Sequence, residues 1–178
     1  MITVAAGGSV RANPKGREIV YGRDIRLTAA GRAHPMYAGK HAAFDAVTFH
    51  LDEVATAAPG TTVLAANAMS DIQALEIDCG RATAWAVQYH PEFPLREVAA
   101  IVRRSPKTLI GEGFFADTTE LHRYAGELDA LDRNPADSAL ANRHKASGAV
   151  LNKAVRTREL ANWIAYLVLP QRSRRGRE

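Results

Sequence analysis

Cysteine is almost missing from this chain: Cys79 is the single one in 178 residues. An internal disulfide is thereby excluded, and a protein of the reducing cytoplasm is expected. Long apolar runs are also missing. None approaches the roughly 18 residues a membrane span requires, so no membrane partner is expected. The opening residues, Met1-Ile2-Thr3-Val4-Ala5-Ala6-Gly7-Gly8, lack the basic start and longer apolar core of a secretory signal. Glycine-rich phosphate loops are absent too. Asn13-Pro14-Lys15-Gly16-Arg17-Glu18 has neither Walker nor dinucleotide spacing and reads as a turn entering a strand. No metal or other cofactor is expected, because His50, Cys79, His90 and Glu92 match no compact ligand spacing.

Hydrophobic residues make up 47% of the chain and charged residues 24%. That suits one domain of ordinary size, or a compact core with an appendage. The net charge is +4. Part of it lies in the tail Arg172-Ser173-Arg174-Arg175-Gly176-Arg177. No aromatic residue interleaves there, so the tail reads as a solvated end, and a nucleic-acid partner is not expected.

Periodicity divides the chain near Phe93. Residues 1–93 read as strand-rich, 94–170 as a helical extension and 171–178 as a basic disordered tail. A short helix is expected to stop at Gly7-Gly8, followed by a turn-rich connection over 9–16. Two β-rich pieces, Ile19-Val20-Tyr21 and Ile25-Arg26-Leu27, flank Gly22. Residues 43–49 alternate as a strand, and 52–58 suit a short helix with Asp52 as its N-cap. Strands over 62–66, 72–77 and 83–88 leave room only for tight turns, which predicts an antiparallel meander. Beyond Phe93 the period becomes helical. Leu95, Val98, Ala99 and Val102 share one face, and so do Leu121, Tyr124, Ala125 and Leu128, with Asp117 and Glu120 as a capping box. Leu160, Trp163, Ile164, Leu167 and Val168 form a last apolar stripe, expected to cover the protein's own core, with Pro170 ending the helix.

The chemistry concentrates at Val87-Gln88-Tyr89-His90-Pro91-Glu92-Phe93. Residues two apart in an extended segment point to the same side. His90 and Glu92 therefore share a face at a strand end, with Pro91 restricting the backbone between them. A carboxylate so placed orients an imidazole for proton transfer. Gln88, Tyr89 and Phe93 are expected to wall a small pocket. His50 with Asp52 is a second candidate, read mainly as loop structure. Such a base needs a nucleophile. Cys79 sits in a turn, Asp78-Cys79-Gly80, without the helix start or cationic neighbour that activates a thiol.

Several segments, in order, resemble the class I glutamine amidotransferase family. They are Ala5-Ala6-Gly7-Gly8-Ser9-Val10, Asn13-Pro14, Gly16-Arg17-Glu18, Ile25-Arg26-Leu27-Thr28, His50-Leu51-Asp52-Glu53-Val54, Leu64-Ala65 and Val87 to Phe93. The last is the most specific.

The resemblance implies an α/β fold: part of a flavodoxin-like amidotransferase sandwich carrying a C-terminal helical extension. It implies hydrolysis of the glutamine side-chain amide by a cysteine, a histidine and a glutamate. His90 and Glu92 take the last two roles, and His50 and Gln88 become candidate substrate-binding residues. It also implies an amidating or synthetase partner that consumes the ammonia. The family's nucleophile lies on a G-x-C-x-G elbow, which this sequence lacks. The chain is thus expected to be the C-terminal half of such a domain, to rely on a missing N-terminal half and to be inactive alone. The competing expectation is a non-catalytic binding or docking module derived from the same fold.

Overall fold

In a computed structural model of the chain, residues 2–80 and 82–170 are described. The basic tail expected over 171–178 lies outside them. A helical turn, α1 (Ile2–Ala5), leads to β1 (Ser9–Ala12) and the long strand β2 (Glu18–Leu27). After α2 (Ala29–Ala33) and a 3₁₀ turn at Pro35–Tyr37 come β3 (Ala43–His50), β4 (Asp52–Thr56), β5 (Thr61–Ala66), β6 (Ala74–Asp78) and β7 (Thr83–Val87). Helices α3 (Leu95–Arg104), α4 (Pro106–Gly111), α5 (Thr118–Arg133), α6 (Ser138–His144), α7 (Gly148–Leu151), α8 (Lys153–Arg156) and α9 (Arg158–Trp163) complete the chain, α9 widening into a π-helical turn over Ile164–Val168.

Five strands form one sheet in the order β3-β2-β5-β6-β7, and β1 pairs with β4 beside it. Every pairing among the described residues is antiparallel. The expected meander is β5-β6-β7. The two pieces around Gly22 join as a single strand, because the β2–β3 register shifts between Gly22 and Ile25. Asp24 lies within that bulge in a left-handed conformation, with φ of 47°.

Two expectations fail in the same place. Residues 52–56 are strand, not helix, and Asp52 caps nothing. Residues 9–12, read as turn, are the partner strand. Val10 opposes Val54, and Arg11 opposes Glu53 with an ion pair of 2.8 Å. A short segment of weak helical preference takes whichever state a neighbouring strand rewards.

Helices α3 and α5 pack on one face of the sheet. Val98, Ala99, Val102, Leu121, Leu128 and Leu131 are fully buried there against Val20, Tyr21 and Val47. Each buried leucine or valine contributes roughly 1.5–3 kcal/mol of transfer free energy. The start of α5 is as expected: the Asp117 carboxylate accepts from the Glu120 amide at 2.8 Å, and Glu120 reaches back to the Ala116 amide. The opposite sheet face holds Ile25, Leu27, Met36, Phe44, Leu64 and Tyr89.

The last helix is turned the other way from the expectation. Its apolar stripe faces outward, with Leu160, Trp163 and Ile164 exposed, while Glu159 and Asn162 are buried. Polar partners on the loop after α2 decide this orientation: Asn162 donates to the carbonyls of Met36 and Ala38. Among the described residues no helix is long and apolar enough to cross a membrane.

Candidate functional site

Strand β7 carries the chain to His90. Gln88 extends its pairing by donating its amide to Gln73, and the His90 amide donates to the Val47 carbonyl at 2.7 Å. Two backbone anchors thus hold the segment at the sheet end. Alternation then sets the side chains: Gln88 and His90 line the cavity, and Tyr89 points into the core.

His90 and Glu92 meet. His90 Nδ1 is 2.7 Å from Glu92 Oε1. The imidazole also stacks on Phe93, with centroids 4.2 Å apart and planes 6° from parallel. A carboxylate accepts only, so Nδ1 carries a hydrogen, and in the neutral imidazole the lone pair is then on Nε2. Nε2 has no partner among the described residues. The pair is solvent-accessible, with His90 32% and Glu92 47% exposed. It therefore adds little stability, and what it fixes is the tautomer and the orientation of the ring.

The cavity beside His90 has a volume of about 300 Å³. His50, Gln73, Gln88 and His90 supply its polar lining, and Val54, Ile72, Leu75 and Ala86 much of the rest. The two candidate substrate-facing residues are therefore brought to the same cavity as the base. Gln88 is tied by its side-chain amide to the Asp52 carbonyl at 3.2 Å. Of the expected pocket walls, Phe93 lies against the His90 ring. Tyr89 belongs to the opposite side, buried where its hydroxyl meets Tyr37 and Glu159.

Sequence reasoning missed the residue that organises this end. Glu18 is only 5% exposed. Its carboxylate accepts from His50 Nε2 at 3.0 Å, Asn67 Nδ2 at 2.7 Å and Gln73 Nε2 at 2.8 Å. The cross-strand register puts Glu18 directly opposite His50. Asn67 in turn accepts from the amides of Met69 and Ser70, which orders the loop before Gln73. The available signal was a carboxylate at the head of an apolar strand, where an unpaired charge would be costly.

Cys79 is placed away from all of this. It sits on the turn between β6 and β7, its amide bonded to the Ala82 carbonyl. His90 lies beyond the other end of β7, on the order of 20 Å off at strand rise. No group of three or more His, Cys, Asp and Glu among the described residues could hold a metal ion.

No family model matches the chain. It is 34% identical over 179 residues to a gamma-glutamyl-L-1-hydroxyisopropylamide hydrolase from a Pseudomonas species, an alignment that covers 98% of the chain and 60% of that relative. The chain thus spans about 60% of the length of the curated relative it matches. Its fold is that of a glutamine amidotransferase from Methylobacillus flagellatus, with a TM-score of 0.56 and 17% identity over 90% of this chain and 58% of the other. A glutamine amidotransferase from Thermotoga maritima superposes with a TM-score of 0.51 and 18% identity over 83% of this chain and 59% of that one. The chain thus has the class I glutamine amidotransferase fold, is similar in sequence to that hydrolase, and carries its His90–Glu92 pair at the end of β7.

Proposed function

We propose that this chain carries the proton-transfer part of a thiol-dependent site that hydrolyses a γ-glutamyl amide, either glutamine or a γ-glutamyl alkylamide. The observation that carries the reading is the 2.7 Å contact of His90 Nδ1 with Glu92, which leaves Nε2 without a partner among the described residues in a side chain that lines the cavity. His90 takes the thiol proton as the sulfur attacks the amide carbon. It then returns that proton to the leaving nitrogen as the C–N bond breaks. Water next adds to the thioester with His90 again as base, releasing glutamate and the thiol. Glu92 holds the ring, and His50 and Gln88 contact the substrate. With glutamine as substrate the leaving group is ammonia, which an amidating partner would consume.

The thiol is the missing component. Cys79 is on the far turn, and the sequence contains no other cysteine. The sulfur must then come from polypeptide beyond these 178 residues, and this chain by itself is inactive.

The test assays glutamine and γ-glutamylethylamide hydrolysis by the chain alone, then mixed with the separately expressed part of the Pseudomonas relative that it does not span. The expectation is no turnover alone and measurable turnover in the mixture. His90→Ala should abolish the latter, and Glu92→Ala should leave a remnant. Robust amide hydrolysis by the isolated chain, or equal and mild losses in both variants, overturns the reading. A second reading, a non-catalytic docking module, draws on the outward-facing Leu160, Trp163 and Ile164. It predicts no turnover in the mixture.

A further inference from the structure

On the helical side of the sheet, sharing no residue with the His90 cavity, a second cleft of about 350 Å³ opens between β2, α5 and the end of α6. Its walls are Tyr21, Arg23, Tyr124, Glu127 and His144, with Arg123, Arg143 and Lys145 at the rim. We infer that this cleft binds the phosphoryl group of a small organic phosphate.

Charge is the first argument. Arg123 and Arg143, from two different helices, both reach the same oxygen, Glu127 Oε1, each at 2.9 Å. His144 Nε2 takes the other oxygen at 2.8 Å. One close carboxylate therefore answers two guanidiniums, with Glu120 only at 3.9 Å from Arg123. Arg143 spends one of its five N–H donors on this contact. The Lys145 ammonium adds a third cation. Arg23 is not available: Asp45 and the carbonyls of His144 and Lys145 consume it, and it lies over the Tyr21 ring. Two guanidiniums with spare donors are the recognition chemistry of a phosphoryl group.

Two unpartnered atoms supply the second, independent argument. The Tyr21 hydroxyl and His144 Nδ1 are buried and have no hydrogen-bond partner among the described residues. Both residues are 7% exposed and both line the cleft. A buried polar atom without a partner is costly, so a ligand that satisfies it gains accordingly. The phenol donates to a phosphoryl oxygen, and His144 holds its other ring nitrogen against Glu127. A phosphate monoester is largely dianionic at neutral pH and presents three charged oxygens to Tyr21, Arg143 and Lys145, where a carboxylate presents two and a single charge.

The experiment is a ¹H–¹⁵N NMR titration of the full chain with glycerol 3-phosphate, inorganic phosphate and succinate, at constant ionic strength. Saturable shifts at Tyr124, Arg143 and Lys145 are expected with both phosphates and not with succinate. Arg143→Gln removes an exposed side chain and should weaken phosphate binding about tenfold or more, the loss expected for a charged hydrogen bond. Tyr21→Phe should weaken it severalfold. Should Tyr21→Phe fail to fold, the Arg143→Gln result still decides. Shifts that stay linear into the tens of millimolar, an affinity untouched by Arg143→Gln, or equal binding of succinate each overturn the inference.

Discussion

The Tyr89 hydroxyl donates to Glu159 Oε1 at 2.8 Å, joining residues 70 positions apart inside the protein. Lys40 bonds the same oxygen, and Tyr37 shares a 2.8 Å contact with Tyr89. Burial pushes the Lys40 ammonium below its ordinary range, and Glu159 opposes that shift. Helix α9 is thus clamped to the residue immediately before His90. Glu159→Ala would leave Lys40 buried without its counter-charge, and about 3–5 kcal/mol of stability should be lost. Glu159→Gln keeps an acceptor for Tyr89 and should lose less. Urea unfolding measures both, and a Glu159→Ala loss below about 1 kcal/mol would contradict the clamp.

The Glu18 hub makes a second prediction. In Glu18→Gln one acceptor oxygen becomes an NH₂ that must face donors from His50, Asn67 or Gln73. A loss of about 1–3 kcal/mol is expected, together with altered imidazole ¹⁵N shifts of His50. An unchanged His50 spectrum would show that Glu18 does not hold that ring.

Helix α2 lies against β5 at Gly31, where an added Cβ would fall 2.0 Å from the Leu64 carbonyl oxygen. Two backbones are in contact there, and neither side can give. Gly31→Ala should cost more than about 4 kcal/mol, seen as loss of soluble protein. Gly126, inside α5, meets nothing within 4 Å. Gly126→Ala should instead stabilise by roughly 0.5–1 kcal/mol. Similar melting temperatures for the two variants would refute the packing argument.

Glu127 links acid stability to the α5–α6 contact. Burial pushes its carboxyl up, but hydrogen bonds from His144, Arg123 and Arg143 outweigh this and hold it below the ordinary value. The unfolded chain therefore binds the proton first as pH falls. The stabilisation is complete above the ordinary carboxylate range and is lost as pH drops through the lowered value. Glu127→Gln should destabilise the protein at neutral pH, and its deficit against the parent should shrink between about pH 5 and pH 3. A deficit independent of pH in thermal melts would rule out the ionised carboxylate as its source.

The outward stripe of α9 predicts tolerance. Leu160→Ser and Trp163→Ser should each shift stability by no more than about 0.5 kcal/mol, because neither side chain is in the core. A loss above about 2 kcal/mol in chemical denaturation would place the stripe inside after all.

Much of the site was legible in the sequence. Val87 to Phe93 alternates as a strand end, and the structure joins His90 to Glu92 and brings His50, Gln88 and His90 to one cavity. The meander and the cap of α5 were readable for the same reason, since tight turns and capping act within a few residues. The helix expected over 52–58 was not, because its strand state depends on β1, some 40 positions earlier. Glu18 escaped notice because its three donors come from His50, Asn67 and Gln73, separated from it by 32, 49 and 55 positions. Helix α9 shows the same limit: its apolar stripe was visible, but the side it would bury was not.

What the amino-acid sequence determined unaided is the local stereochemistry at Gln88, Tyr89, His90 and Glu92. Two-residue alternation needs only the chirality and extension of the backbone there. Tertiary structure alone decided which strand claims residues 52–56, that α9 turns Glu159 inward, and that Arg123 and Arg143 converge on one oxygen. Each of those outcomes is a competition among partners distant in the chain, settled by burial and hydrogen-bond satisfaction once the sheet and helices are packed together.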